Sequence, residues 1–327
     1  MPNLIVVSGD GERKQVSLAP GETVLDGLLD AGVEVSYGCK SGVCHSCLLQ
    51  TPDQDAIPYE AQQGLRSVER GQGYFLSCKC KPEKPLRIQL EGVQQRYQSK
   101  VVGLDKVADS IWRLRLTKSL AYRPGQYLTL KHSSGVIRSY SIASHPIHDD
   151  FIECHIRTFP NGKFSHIVKS ELKVGDSLEL LGPYGRCVYE KTESSRVLFM
   201  GGMGTGLAPL YGIARDALMQ GHKGQIIMLI GASQSNNLYH QSELAKLSRA
   251  HPNLKIEYSI QQLDNTTAIL PISDIYEKAA KLLPNMTGCG AYLCGNQSFV
   301  QRLRKECFLR GASLSDIKSD EFLRAVA

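Results

Sequence analysis

Four cysteines have types and spacing that can do chemistry: Cys39, Cys44, Cys47 and, farther along, Cys78. The first three lie in Tyr37-Gly38-Cys39-Lys40-Ser41-Gly42-Val43-Cys44-His45-Ser46-Cys47, and the fourth ends Tyr74-Phe75-Leu76-Ser77-Cys78. A C-x4-C-x2-C run with a distant fourth cysteine is the ligand pattern of a 2Fe-2S cluster. Four thiolates must converge on two irons, with hydrogen-bond donors around the sulfurs. A tight loop can aim backbone N–H groups inward, and Gly38 and Gly42, with the small Ser41 and Ser46, suit such a loop. A structural zinc site usually pairs two short Cys arms, whereas the far arm here, Cys78-Lys79-Cys80, is too tight. A disulfide framework belongs to short exported chains. Cys80 is the weaker rival to Cys78 as fourth ligand. His45 reads as an exposed bystander, because Rieske centres exchange two cysteines for two histidines and four cysteines are already in place. Such a cluster moves one electron at a time, so the chain is expected to transfer electrons.

Other strings carry a second chemistry. Arg138-Ser139-Tyr140-Ser141 is followed by Asn161-Gly162-Lys163-Phe164-Ser165 and then by Gly182-Pro183-Tyr184-Gly185. In order and spacing these three resemble the R-x-Y-S, G-x-x-S/T and GPxG elements of the ferredoxin–NADP reductase-like flavoproteins. The resemblance implies that Arg138 pairs with a phosphate, Tyr140 stacks on or beside the flavin, and Ser141 hydrogen-bonds flavin N5. Ser139 lies within that string. Gly162 would let the backbone approach a phosphate at the start of a helix opened by Lys163 and Phe164, and Ser165 would add a donor. Gly201-Gly202-Met203-Gly204-Thr205-Gly206-Leu207-Ala208-Pro209 follows an apolar run and opens a helix, which is a place for a pyrophosphate. It departs from G-x-G-x-x-G but resembles the G-x-G-T-G string of the same family, pointing to Gly202, Gly204, Thr205 and Gly206. Leu293-Cys294-Gly295-Asn296 resembles the family's C-G string, whose cysteine lies near nicotinamide C4; a buried core thiol is the alternative for Cys294. Asp320-Glu321-Phe322-Leu323 is similar to the aromatic-containing ends of such chains, with Phe322 over the flavin face.

The elements that must position these residues fall into three blocks. In residues 1–92, Leu4–Val7 and Gln15–Leu18 flank the turn string Gly9-Asp10-Gly11 and predict a hairpin. Thr23 is a candidate N-cap for a helix carrying Val24, Leu25, Leu28 and Leu29, and Leu86–Leu90 predicts a strand. The polar stretch Glu91–Ser99 predicts a linker, centred on residues 93–97. Residues 98–192 alternate at Trp112–Leu116, Gln126–Leu130 and Phe151–Arg157, with one helix over Phe164–Glu171, which suits a small antiparallel β-barrel. Residues 193–327 change to continuous apolar runs, Arg196–Met200 and Gln225–Ile230, with helices at Ala208–Gln220 and Gln241–Ala250 and further strands at Lys255–Ser259 and Gly290–Cys294. That rhythm predicts a doubly wound parallel sheet. The fold class is thus multidomain, α+β followed by α/β. The resemblance implies a β-grasp plant-type ferredoxin domain, an FAD-binding barrel and an NAD(P)H-binding domain.

The 327 residues are 42% hydrophobic and 21% charged, enough for several cores and unlike a disordered chain. No apolar run approaches the ~18–20 residues of a membrane span, and Met1–Asp10 shows no secretory pattern. A reducing cytoplasm is expected, with Cys154, Cys187, Cys289 and Cys307 as buried thiols. The net charge of +6 divides into −3 over residues 1–92, from 12 acidic and 9 basic residues, and +9 over the rest. These opposite signs favour attraction between carrier and reductase. The basic excess lacks an aromatic-basic stripe or a reading motif, so no nucleic-acid partner is expected.

Over the whole chain the order resembles the single-chain reductase components of bacterial multicomponent oxygenases. It implies electrons passing from NADH through FAD and the 2Fe-2S cluster to an oxygenase or other acceptor docking at the ferredoxin domain. FAD over FMN rests on that resemblance. NADH over NADPH rests on Gly231–Tyr239, which contains no Arg or Lys for a 2′-phosphate. Asp53, Asp55 and Glu60 are candidates to steer the acceptor. Two other readings stay open: a reductase serving a deoxysugar dehydratase, and a binding protein with a vestigial cluster.

Overall fold

The computed structural model describes residues 2–8, 12–33, 35, 37, 40, 42, 47–63, 65, 70–90, 96–191, 194–262 and 274–322. Two compact units divide the chain near Arg96.

In the first unit, β1 (Asn3–Ser8) and β2 (Arg13–Ser17) form the expected hairpin, with Leu4 opposite Val16. Its turn, Gly9-Asp10-Gly11, lies outside the described residues. Helix α1 (Val24–Asp30) starts at Thr23, whose Oγ1 accepts from the Asp26 N–H at 3.1 Å and supplies the partner that a first-turn amide lacks. Strands β3 (Leu48–Gln50), β4 (Tyr74–Leu76) and β5 (Leu86–Leu90) complete a sheet of order β2-β1-β5-β3-β4. β1 and β5 run parallel, and the other pairs antiparallel. The sheet closes over α1 in the β-grasp manner, burying Leu4, Val6 and Ile88 with Val24, Leu25 and Leu28.

The second unit begins as a barrel of β6 (Arg96–Ala108), β7 (Ile111–Thr117), β8 (Tyr127–Lys131), β9 (Ile137–Ser141), β10 (Phe151–Arg157) and β11 (Ser177–Tyr184), in the order β10-β7-β6-β11-β8-β9. An antiparallel bridge from Ile142 to Cys154 joins the end of β9 back to β10. The expectation of a linker through Ser99 is corrected here: Arg96–Ser99 is already strand. Its polarity misled because the buried Ser99 satisfies its hydroxyl on the Thr117 carbonyl at 2.7 Å, so a polar residue can face inward. Residues 91–95 lie outside the described ones. Helix α2 (Lys163–His166) continues as a wider π turn, Ile167–Glu171, over the barrel mouth.

The rest of this unit is a parallel sheet of β12 (Leu198–Met203), β13 (Ile226–Gln234), β14 (Leu254–Gln262), β15 (Gly290–Asn296) and β16 (Ile317–Phe322), in the order β14-β13-β12-β15-β16. Helices α3 (Leu207–Met219), α4 (Gln241–Ala250), α5 (Ile275–Leu282) and α6 (Gln297–Leu309) make the crossovers. The apolar run of β13 is buried on both faces. Ile226 and Met228 pack with Leu210 and Leu244, while Ile227 and Leu229 pack with Ile275 and Leu303. That two-sided burial explains why the strand does not alternate. Among the described residues, no helix is long and apolar enough to cross a membrane.

Candidate functional site

Successive strands of the parallel sheet diverge on either side of β12, so a crevice opens beyond the carboxyl ends of β12 and β15, where such sheets take ligands. The glycine string stands there. Gly202 ends within β12, paired with Cys294 of β15, and Gly204–Gly206 makes a 3-10 turn into α3. A Cβ on Gly206 would lie 2.0 Å from the Cys294 carbonyl oxygen, so only glycine lets this turn sit against β15. Thr205 is half-exposed at the tip.

β16 pairs with β15, Asp320 opposite Cys294 and Phe322 opposite Asn296. The barrel supplies Ser141, the last residue of β9, whose Oγ donates to Asp320 Oδ2 at 2.7 Å. Ser141, Cys294 and Asp320 thus meet from three strands, and the two-residue repeat of β16 puts Phe322 on the side of Asp320. Asp320 keeps some accessible surface, yet burial of its carboxyl pushes the pKa up to about 6 even though the Ser141 bond pulls it down. The Cys294 thiol is fully buried, and burial, then the neighbouring Cys187 sulfur, push it well above its ordinary value. It stays a protonated thiol, a weak donor rather than a nucleophile. Sequence reading named Ser141, Cys294 and Phe322 as candidates and did not single out Asp320 or Cys187, which the structure brings beside them.

The remaining residues of those strings lie on β9 and at the start of α2. Arg138 and Tyr140 share one face of β9, and the Tyr140 ring lies 5.3 Å from that of buried Phe164 in α2. Ser139 Oγ meets Thr129 Oγ1 at 2.9 Å, and Arg138 Nη1 donates to its neighbouring Ile137 carbonyl at 2.7 Å. Ser165 Oγ accepts from the Phe159 N–H at 2.9 Å, leaving its own proton to donate. A Cβ on Gly162 would stand 2.5 Å from that oxygen, so glycine here makes room for the serine as well as for a ligand. Lys163 is exposed beside them. This cradle of a guanidinium, an aromatic face, small residues and hydroxyl donors fits a flavin with its phosphates.

In the first unit, Cys47 and Cys78 bring their sulfurs to 3.2 Å, both buried. Ser77 holds the approach, since its N–H and its Oγ both donate to the Cys47 carbonyl, at 3.0 and 2.8 Å. Two buried sulfurs at that separation suit ligation of one iron better than a bond to each other, for which ~2.05 Å is required. Cys39, Cys44, Gly38, Ser41, His45 and Ser46 lie outside the described residues. Lys40, in a left-handed conformation with φ of 53°, is anchored by a 2.8 Å ion pair to Asp26 of α1. Cys80 instead carries a buried thiol that burial raises to about 12. Asp53 is committed to the Arg87 backbone N–H at 2.8 Å and to the Arg87 guanidinium, whereas Asp55, Tyr59 and Glu60 stay exposed.

Comparison with known proteins agrees with this layout. The family described as 2Fe-2S iron-sulfur cluster binding domain matches residues 7–83, Oxidoreductase FAD-binding domain matches 106–189, and Oxidoreductase NAD-binding domain matches 200–305. The chain is 31% identical to the ferredoxin–NAD(P)(+) reductase component of the naphthalene 1,2-dioxygenase system of Pseudomonas putida, over 94% of this chain and 95% of that one. It is 26% identical to the CDP-6-deoxy-L-threo-D-glycero-4-hexulose-3-dehydrase reductase of Yersinia pseudotuberculosis, over 98% and 97%. Among solved structures, an Amycolatopsis cytochrome P450 reductase superposes with a TM-score of 0.73 at 25% identity, covering 99% of this chain and all of that one, 100%.

Proposed function

We propose, on the premise that this chain belongs to the single-chain iron–sulfur flavoprotein reductases, that it draws electrons from NADH and delivers them to the oxygenase component of a multicomponent mono- or dioxygenase. The observation that carries this reading is the meeting of Ser141, Cys294 and Asp320 at the sheet's crevice, in a chain that also pairs Cys47 with Cys78. When bound, FAD supplies the exchange between paired and single electrons and a 2Fe-2S cluster supplies one-electron carriage. The chain's own residues bind, orient and shield. Arg138, Ser139, Tyr140 and Ser141 hold the flavin with Gly162, Lys163, Phe164 and Ser165. Gly202, Gly204, Thr205 and Gly206 take the dinucleotide pyrophosphate. Cys294 and Gly295 border the nicotinamide, Phe322 covers the flavin face, and Ser141 orients the ring through its tie to Asp320. Cys39, Cys44, Cys47 and Cys78 ligate the cluster.

Two finer choices follow. NADH is preferred over NADPH because Gly231–Tyr239 offers no cation, and Asn236 within it donates to the Asp109 carboxylate at 2.5 Å, leaving negative charge at that turn. The acceptor docks on the ferredoxin domain, where Asp55, Tyr59 and Glu60 are exposed. A cytoplasmic location suits a chain whose buried cysteines must stay reduced. The Yersinia relative favours a second reading, service to a deoxysugar dehydratase, which its lower identity, 26% against 31%, ranks behind the first. Steady-state reduction of cytochrome c by the anaerobically purified holoprotein tests the whole: kcat/KM for NADH should exceed that for NADPH by about tenfold, and an oxygenase component encoded nearby should compete for the electrons. A preference for NADPH overturns the nucleotide assignment, and protein without iron or flavin overturns the proposal.

A further inference from the structure

Strand β10 carries Glu153, His155 and Arg157 on one face, since every second residue of a strand points the same way. Glu153 and His155 are buried, as is His240, the residue before α4. His155 Nε2 lies 3.0 Å from Glu153 Oε1, and His240 Nε2 lies 3.6 Å from the same oxygen. His155 Nδ1 is 2.8 Å from the Tyr239 hydroxyl. The His240 ring stands edge-on to His155 and to Tyr211 of α3. From β7, Arg113 brings its guanidinium to 3.8 Å from Glu153 Oε2 and also reaches Asp105 of β6 and Glu243 of α4, at 3.4 and 4.0 Å. His240 adopts φ of 60°, a left-handed conformation that a side chain disfavours. Barrel and nucleotide-binding sheet therefore meet here through buried polar groups, with backbone held in an unfavourable region to let them do so.

The protonation states follow from burial and bonding. Burial opposes charge on Glu153, but His155, bonded to it, and His240 beside it outweigh that and hold the carboxyl well below its ordinary range. Burial lowers His155, which stays neutral. An ionised carboxylate only accepts, so His155 donates Nε2–H to Glu153 and its Nδ1 accepts from Tyr239, while His240 Nε2 faces the same oxygen at 3.6 Å, beyond hydrogen-bond length. The same three donor groups lie within 4.8 Å of one another, a spacing a metal ion can use. A cation would take both rings as their Nδ1–H tautomers and would sit beside the Arg113 guanidinium. Without a metal, the ionised Glu153 already faces a positive partner, the Arg113 guanidinium at 3.8 Å, which favours the metal-free arrangement.

We propose that Glu153, His155 and His240 form a buried joint that registers the nucleotide-binding sheet on the flavin barrel, making Glu153 a positioning residue for hydride transfer. This rests on the NADH-to-FAD reading above. Two contacts of β10 with the nucleotide half matter here. One is the joint itself. At the other, Arg157 Nη1 stands 3.5 Å from where a Cβ on Gly204 would be, at the turn assigned to the pyrophosphate. A slip at the joint is therefore transmitted along one rigid strand to the nucleotide's seat.

The test uses the holoprotein carrying Glu153→Gln, which keeps the shape but brings no negative charge to Arg113, His155 and His240. Iron and flavin content should be unchanged. Flavin reduction by NADH in stopped flow should slow about tenfold, with KM little altered and a larger primary isotope effect from deuterated NADH. Amide hydrogen exchange, which needs no turnover, should quicken at least threefold over residues 235–245 and 204–206 and stay the same in 1–96. Tyr239→Phe, which removes one bond and keeps the packing, should show the same pattern at about threefold, and it carries the test if Glu153→Gln does not fold. Flavin reduction and exchange both within error of wild type, or one equivalent of tightly held zinc per chain, overturns the joint. Wild-type protein that NADH cannot reduce, with the exchange changes still present, overturns the functional reading and leaves the joint standing as structure.

Discussion

Around Cys47 and Cys78 the reactive atoms come from one short loop and a turn bonded to it, with Ser77 fastening the two. Around Ser141 the partner is Asp320, 179 residues away on another sheet. The approach of Cys47 and Cys78, the proposed cluster region, needs only its own unit, because Ser77 sets it through bonds made within that unit. The Ser141–Asp320 contact, the proposed hydride region, exists only once barrel and parallel sheet are seated together, because its donor ends a barrel strand and its acceptor lies within a strand of the sheet. Its geometry should therefore answer to changes at a distance, as at Glu153, while that of the cluster should not.

The sharpest contrast comes from Cys78→Ala. Cytochrome c reduction should be lost together with the cluster's visible absorbance, while NADH-dependent ferricyanide reduction, which drains the flavin directly, stays within about twofold. Loss of both activities would show that the two regions are not separable. Next in size is Ser141→Ala. With its proton given to Asp320, the Ser141 oxygen is left to accept; removing one oriented hydrogen-bonding group at a reacting centre costs roughly a hundredfold, so stopped-flow bleaching of the flavin should slow by about that factor with flavin still bound. Unchanged bleaching removes Ser141 from the hydride region. The smallest effect is reserved for Asp320→Asn. Flavin reduction should fall about threefold and lose an inflection near pH 6, where the wild-type carboxyl releases its proton. The folded state holds that proton to a higher pH than the unfolded chain does. The group's contribution to stability is thus full below about pH 4, declines as pH rises toward about 6, and is flat above. Thermal midpoints measured across that window should show the slope in wild type and not in the variant.

Much of this was legible in the residues. The switch from alternating to continuous apolar runs marks the change from barrel to parallel sheet, and β10 begins and ends where its alternation does. The glycine string lies at the strand-to-helix turn its composition demands. The linker reading failed at Arg96–Ser99 because a buried serine with a carbonyl partner looks, in sequence, like an exposed one. Strand β16 was illegible for a related reason. Ile-Lys-Ser-Asp-Glu-Phe has no apolar period, since among the described residues the strand is the sheet's edge and β15 alone pairs with it. Asp320 went with it: the signal that marks a buried carboxylate is its surroundings, and those are Ser141 and Cys294.

Composition and spacing alone determined what this chain can carry, because ligand type, glycine placement and hydrophobic period are properties of neighbours along the backbone. Only the tertiary structure decided which groups share a proton or a charge. Ser141 with Asp320, and Glu153 with His155 and His240, are contacts between layers, and the energy of a buried polar group depends on partners that sequence distance does not reveal.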